Sequence, residues 1–273
     1  MLKLYNKFIK RFRIYFNKVY SFLYLVLFHN QEEIINKENK KFEDLGMDMG
    51  SAIEKLNNIL HTKYDRNFNR NSDSIHWLIF SALSNNKKYN KILEIGTYDG
   101  EFTNILGNLF PSSEITTVDL PKHDPLMASF YNRGSSPLFL EYMKKQKINT
   151  NLDNIRLIKS NTFFLMDQLK KNEKFDLIWV DGGHLYPDIA WDLCNAYYLL
   201  NEGGILLCDD IIMSDKKYKT NYVSTESWEV LKYIEQRISS PITFLLKRLA
   251  PTLYSRKYSR KYVAVLKKKY IKQ

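Results

Sequence analysis

The chain has 273 residues, of which 44% are hydrophobic, with two cysteines and a formal net charge of +11. That length suits one α/β domain with additions. Two cysteines, Cys194 and Cys208, give neither a disulfide framework nor a Cys/His zinc cluster, and their apolar settings read as buried thiols in a reducing, cytoplasmic compartment. The positive charge lies at the two ends and the body between them is mildly acidic, so no nucleic-acid partner is expected.

Residues 1–30 hold Lys3, Lys7, Lys10, Arg11, Arg13 and Lys18 and no acid. Wound as a helix, most of these fall near one face, while Leu4, Phe8, Phe12, Phe16, Val19, Leu23 and Val26 fall near another. The apolar run 19–28 is shorter than the ~20 residues that span a bilayer. The pattern predicts a basic amphipathic helix lying peripherally on an anionic membrane surface. A helix packed on the domain or in a homo-oligomer is the alternative. No small-residue cleavage site follows, which argues against a signal peptide.

Residues 31–71 read as a helical connector, beginning with a charged, exposed helix over 31–44. Helical periodicity continues over 46–70. Ser72, Asp73 and Ser74 stand where they could cap a helix over 75–84 that leads into the first strand.

The segment KILEIGTYDG (91–100) is an apolar run ending in a glycine turn, and EFTNILGNLF (101–110) follows with helix spacing. Gly96 and Gly100 would let a ligand approach the backbone near the free N–H groups of a helix start. A second short strand, EITTVD, ends in Asp119 and completes a β-α-β unit. A carboxylate at that strand end can accept the two hydroxyls of a ribose. Residues 120–153 form a long insertion, and 154–160 a third strand ending at Ser160 and Asn161.

Residues 174–211 place two buried-type strands, 175–180 and 204–208, around one helix. Asp181 follows the first strand, and Asp209 and Asp210 follow the second. In an open α/β sheet these would meet at the carboxyl rim, near the glycine turn. Three converging carboxylates repel unless a cation or a proton intervenes, and hard oxygen ligands suit Mg²⁺ or Mn²⁺. His184 lies three residues past Asp181, with an ordinary pKa near ~6.5 that suits a general base. The loop 214–227, and His123, Arg133 and Tyr186, are further candidates to touch substrate. A helix over 227–238 and strands over 242–248 and 261–269 complete the chain.

The Gly96/Gly100 turn resembles motif I of the class I S-adenosylmethionine (SAM)-dependent methyltransferases, with Glu94 two residues before the first glycine and Tyr98 where the family commonly has a glycine. The Asp181, His184, Asp209 and Asp210 set is similar to that of metal-dependent O-methyltransferases of the sugar and catechol type. The resemblance implies a Rossmann-like α/β fold over 72–273, with a seven-stranded sheet and helices on both faces. It implies SAM held by Glu94, Gly96, Tyr98, Gly100, Asp119, Ser160, Asn161 and Asp181, with the adenine near Asn161. It also implies a divalent metal on Asp181, Asp209 and Asp210, and catalysis by His184 and Asp181 on a hydroxyl of a sugar, polysaccharide or related small molecule. An NAD-linked oxidoreductase would explain the sheet and Asp119 but not the glycine spacing. A non-catalytic membrane-associated protein of the same fold is the other rival.

Overall fold

The computed structural model describes residues 16, 19, 30–129, 137–220, 223–238, 240–249 and 260–269. The expected N-terminal helix therefore lies almost wholly outside the described residues, as does Arg133. Phe16 and Val19 are described, and both are helical and exposed. Among the described residues no helix is long and apolar enough to cross a membrane.

Between Asn30 and the sheet lie three helices: α1 (Gln31–Asp44), α2 (Met49–Tyr64) and α3 (Ile75–Asn86). There follow β1 (Lys91–Ile95), α4 (Glu101–Leu109), β2 (Glu114–Asp119), α5 (Pro125–Ser129), α6 (Pro137–Asn149) and β3 (Ile155–Lys159). Then come a 3₁₀ turn (Thr162–Phe164), α7 (Leu165–Gln168), β4 (Phe175–Val180), α8 (Asp188–Leu199) and β5 (Leu200–Ile211). The chain closes with α9 (Glu226–Ile238), β6 (Ile242–Leu246) and β7 (Tyr262–Lys267).

The seven strands order as β3-β2-β1-β4-β5-β7-β6. The pairs from β3 through to β5 are parallel, and β7 runs antiparallel to both β5 and β6. This is the expected Rossmann-like sheet. Its inner strands β1, β4 and β5 are largely buried on both faces, which is why they read as near-continuous apolar runs. Along β4, Leu177 and Trp179 pack with α2, α3 and α4 on one face, while Ile178 and Val180 pack with α8 and α9 on the other. The winding reverses between β1 and β4, and a ligand cleft opens at such a point beyond the carboxyl ends of the strands.

Three local expectations need correction. The helix over 31–44 is not simply exposed. Phe42 is fully buried, Glu38 Oε2 accepts from the backbone N–H of Leu246 at 2.6 Å, and Lys41 Nζ donates to the Phe244 carbonyl at 2.8 Å. Both contacts satisfy polar groups of β6, the last strand of the sheet, which would otherwise present an open edge. Cys194 is exposed on α8, and only Cys208 is buried. Ser74 stands at the N-cap of α3 but makes no side-chain cap bond, because its hydroxyl pairs with His76 Nδ1 at 2.6 Å.

Candidate functional site

A cleft of about 790 Å³ opens at the carboxyl ends of β1 and β4. One end is lined by the Gly96–Asp99 turn, Asp119, Ser160 and Asn161. The other is lined by Asp181, His184, Asp210, Lys247, Arg248 and Lys261. Buried His76 and Trp179 also line it, stacked with ring centroids 4.5 Å apart.

Gly96 and Gly100 both adopt left-handed backbone, with φ of +100° and +78°. The structure gives each glycine a second reason. A Cβ on Gly96 would come within 2.2 Å of the carbonyl oxygen of Asp181, and one on Gly100 within 3.0 Å of Asn149 Cβ. The space they leave is filled by the β4 loop and by the end of α6, so both glycines shape the cleft wall as well as line it. Gly100 then caps α4, and at the helix start the Glu101 N–H donates to Asp99 Oδ1 at 3.2 Å. Tyr98 is also left-handed, with φ of +51°, and it is exposed.

Glu94 is buried and braced. Its Oε2 accepts from Thr103 Oγ1 and from Thr117 Oγ1, each at 2.6 Å, so β1, α4 and β2 are tied together through one carboxyl oxygen. Burial pushes its pKa up to about 8, against the pull of those two hydroxyls.

Asp119 ends β2 inside a polar cage. Its Oδ2 accepts from Tyr142 Oη at 2.8 Å, Gln146 Nε2 at 2.5 Å and Lys159 Nζ at 3.2 Å. Tyr142 and Gln146 come from α6, within the long 120–153 insertion. Asn161 is more committed than expected: its Oδ1 caps the 3₁₀ turn through Phe163 N–H at 3.0 Å, and its amide reaches Asp124 Oδ2 at 3.4 Å. Beside it, Asp192 is buried in the cleft wall, and burial pushes its carboxyl up to about 7.

At the other end His184 is buried. Its Nε2 lies 3.3 Å from Asp181 Oδ1, and Nδ1 is buried with no partner. Burial opposes charge on this ring, but the hydrogen bond to Asp181 and the nearby Asp210, Asp181 and Asp209 outweigh it, so its pKa stands above the ordinary 6.5. Ser224 Oγ donates to the His184 carbonyl at 2.8 Å and fixes the loop against the 214–227 segment. From that segment Thr220 and Val223 enter the cleft, whereas His123 and Tyr186 do not line it.

The expected metal set is not assembled. Among the described residues no group of three or more acidic, histidine or cysteine side chains is arranged to hold an ion. Asp181 is turned to His184. Asp209 and Asp210 instead clasp the ammonium of Lys247, which bonds Asp209 Oδ2 closely and Asp210 Oδ1 at 2.6 Å. Lys261 Nζ bonds the remaining Asp210 oxygen at 2.7 Å. Asp209 Oδ1 is buried and has no partner among the described residues, and burial raises this carboxyl's pKa despite Lys247. Asp210 is held well below the usual carboxylate range: Lys247, His184 and Lys261 overcome its burial.

A bulge makes this arrangement possible. Cys208 pairs with Ala264 and Ile211 with Tyr262, so Asp209 and Asp210 together oppose the single Val263. Asp210 has φ of +55°. In a regular strand consecutive side chains point to opposite faces; an extra residue breaks that alternation and lets both carboxylates reach one ammonium.

Residues 93–211 match the family model described as a methyltransferase domain. No curated protein matches the chain. Among solved structures, the O-methyltransferase of tomaymycin synthesis from Streptomyces achromogenes, solved with SAM, is 15% identical and aligns over 88% of this chain and 99% of that one, with a TM-score of 0.49. An O-methyltransferase from Bacillus cereus, solved with S-adenosylhomocysteine, is 15% identical over 92% of this chain and 97% of that one, with a TM-score of 0.43. Likenesses this distant add nothing to the strand order already described. The matched stretch runs from within β1 to the last residue of β5 and so takes in residues at both ends of the cleft.

Proposed function

We propose that the protein transfers a methyl group from SAM to a hydroxyl oxygen of a saccharide or related small molecule. The observation that carries this reading is the cleft between β1 and β4, with the glycine turn and Asp119 at one end and His184 at the other. The turn and the start of α4 would receive the methionine portion. Asp119 would hold the ribose through Oδ1, since its three protein hydrogen bonds all fall on Oδ2. Ser160 and Asn161 would flank the adenine. When bound, SAM supplies an electrophilic methyl group.

The residues of the chain then have three tasks. They bind the nucleoside, aim the acceptor and take its proton. His184 is the proton acceptor: it lines the cleft, its Nδ1 has no partner among the described residues, and Asp181 holds the opposite side of the ring. Orientation of the acceptor beside that nitrogen would supply much of the rate. Thr220, Asp210, Lys247, Arg248 and Lys261 make this end strongly polar, which suits an acceptor bearing several hydroxyls better than a flat apolar one. No divalent ion enters this reading, because two of its three expected ligands, Asp209 and Asp210, are bound to lysines and Asp181 is turned to His184. Residues 1–30 would bring the enzyme to an anionic membrane surface.

The test is calorimetry with S-adenosylhomocysteine and with NAD. S-Adenosylhomocysteine should bind, and Asp119→Ala should weaken it by about 1.5–3 kcal/mol, the range for a hydrogen bond to a charged group. Binding of NAD without binding of S-adenosylhomocysteine would refute the assignment.

A further inference from the structure

We infer that Lys247 and Lys261 are the resident cation of the acceptor pocket, taking the place a divalent metal would otherwise fill. The inference rests on the methyltransferase reading and deepens it at the acceptor end.

The two lysines are placed by the sheet. The β6–β7 ladder ends at the pair Leu246 and Tyr262. One step further, the Lys247 N–H donates to the Lys261 carbonyl at 2.8 Å, which sets the two lysines side by side across the strands. Like charges facing each other on neighbouring strands destabilise a sheet unless anions lie between them. Asp210 lies between them, with one oxygen on each ammonium at 2.6 and 2.7 Å. Asp209 takes a second bond from Lys247. Two lysines thus bring the charge of one divalent ion, and two aspartates balance it.

The arrangement is built rather than incidental. Asp209 is 1% exposed, and the Lys247 side chain only 12%. A metal at the two carboxylates would have to displace a buried ammonium and leave it without an anion, at a large desolvation cost. Lys247 also lines the cleft with His184 and Asp210. An ammonium has three N–H donors, and two are used by the aspartates. The third is available to the acceptor oxygen. In the transfer, the acceptor O–H proton passes to His184, the new O–CH₃ bond forms, and the carbon–sulfur bond of SAM breaks to leave a neutral thioether. Lys247 neither gains nor loses a proton; its N–H bond stabilises the oxygen as negative charge grows on it.

Mn²⁺ and S-adenosylhomocysteine are the probes. The full chain, stripped with EDTA, should bind S-adenosylhomocysteine as before and take up no Mn²⁺ by electron paramagnetic resonance or calorimetry at millimolar concentration. Lys247→Ala removes the internal cation and should raise Mn²⁺ affinity at least tenfold, while Lys247→Arg, which keeps the charge, should not. Thermal melts show whether each variant is folded, and the wild-type arm stands even if Lys247→Ala is not. Stoichiometric Mn²⁺ binding by the wild type, abolished by Asp209→Asn, would overturn the inference and leave the methyltransferase reading intact. A folded Lys247→Ala with no gain in Mn²⁺ affinity would overturn it too. Failure to bind S-adenosylhomocysteine would instead strike the methyltransferase reading itself.

Discussion

Gly96 and Asp181 meet backbone to backbone: a Cβ on Gly96 would stand 2.2 Å from the Asp181 carbonyl oxygen. The same junction is stitched by the Asp181 N–H donating to the Ile95 carbonyl at 2.8 Å. The turn expected to receive the methionine portion of SAM is thus fused to the loop that carries His184. The two ends of the cleft share one rigid seam at the β1–β4 boundary.

Gly96→Ala should therefore damage the fold and not merely the cofactor pocket. The new methyl group meets backbone, which cannot step aside as a flexible side chain could, and the +100° φ adds strain of its own. We expect a loss of at least ~2–3 kcal/mol in urea unfolding. An alanine variant as stable as the wild type, yet unable to bind S-adenosylhomocysteine, would mean that the glycine serves the ligand alone.

Glu94 should make stability depend on pH. Its carboxyl is raised from 4.5 to about 8, chiefly by burial. Between those values the folded protein keeps a proton that the unfolded chain releases. Stability from this group is therefore greatest below about 4.5 and falls as pH climbs to about 8. One such proton is worth ~1.4 kcal/mol per pH unit. Glu94→Gln keeps an oxygen for the Thr103 and Thr117 hydroxyls and removes the ionisation. Urea unfolding at pH 5.5 and 7.5 should show a smaller difference for Gln than for Glu. Equal differences would show that Glu94 is already charged in the fold.

Much of this architecture was legible because it is written in local patterns. The β1–α4–β2 unit shows as an apolar run, a glycine turn and helix spacing, and the aspartates show as the residues that end buried strands. The extent of β5 was not, because it runs on through Gly203 and Gly204 with a register shift opposite Phe175 and Leu177. The fate of Asp209 and Asp210 depended on Lys247, 38 and 37 residues away, and no local pattern marks a lysine just past the end of an apolar strand as their partner. Three acids at one rim imply a cation by electrostatics; which cation is a matter of tertiary pairing. Glu94 shows the same limit: its neighbours Thr103 and Thr117 become partners only when α4 and β2 fold back beside β1.

The proposed membrane contact rests on sequence alone. Lys3, Lys7, Lys10, Arg11, Arg13 and Lys18 lie over an aromatic, apolar face with no acid among residues 1–30. The full chain should co-sediment with vesicles containing phosphatidylserine, and deletion of residues 1–30 should release it. Raising the salt should weaken binding, since the Debye length falls from about 10 Å at 0.1 M to 3 Å at 1 M. Equal binding by the truncated chain would place the contact elsewhere, with the basic residues after 246 as the next candidates.

His184 is the residue whose chemistry can be followed before the acceptor is known. Burial alone would lower its pKa; the hydrogen bond to Asp181 and the surrounding carboxylates reverse the sign and raise it. NMR titration of the imidazole should therefore give a pKa above 6.5. Asp181→Asn removes the first of those favourable contacts and one negative charge, leaves burial in place, and should move the pKa down. A base must be neutral to accept a proton, so the acid limb of the rate profile should follow the same order, with the wild type losing activity at higher pH than Asp181→Asn. His184→Ala should cut turnover by ~10²–10⁴ while S-adenosylhomocysteine binds nearly unchanged. A wild-type pKa below 6.5, or an Asn variant whose imidazole titrates where the wild type does, would remove Asp181 as the partner that tunes the base.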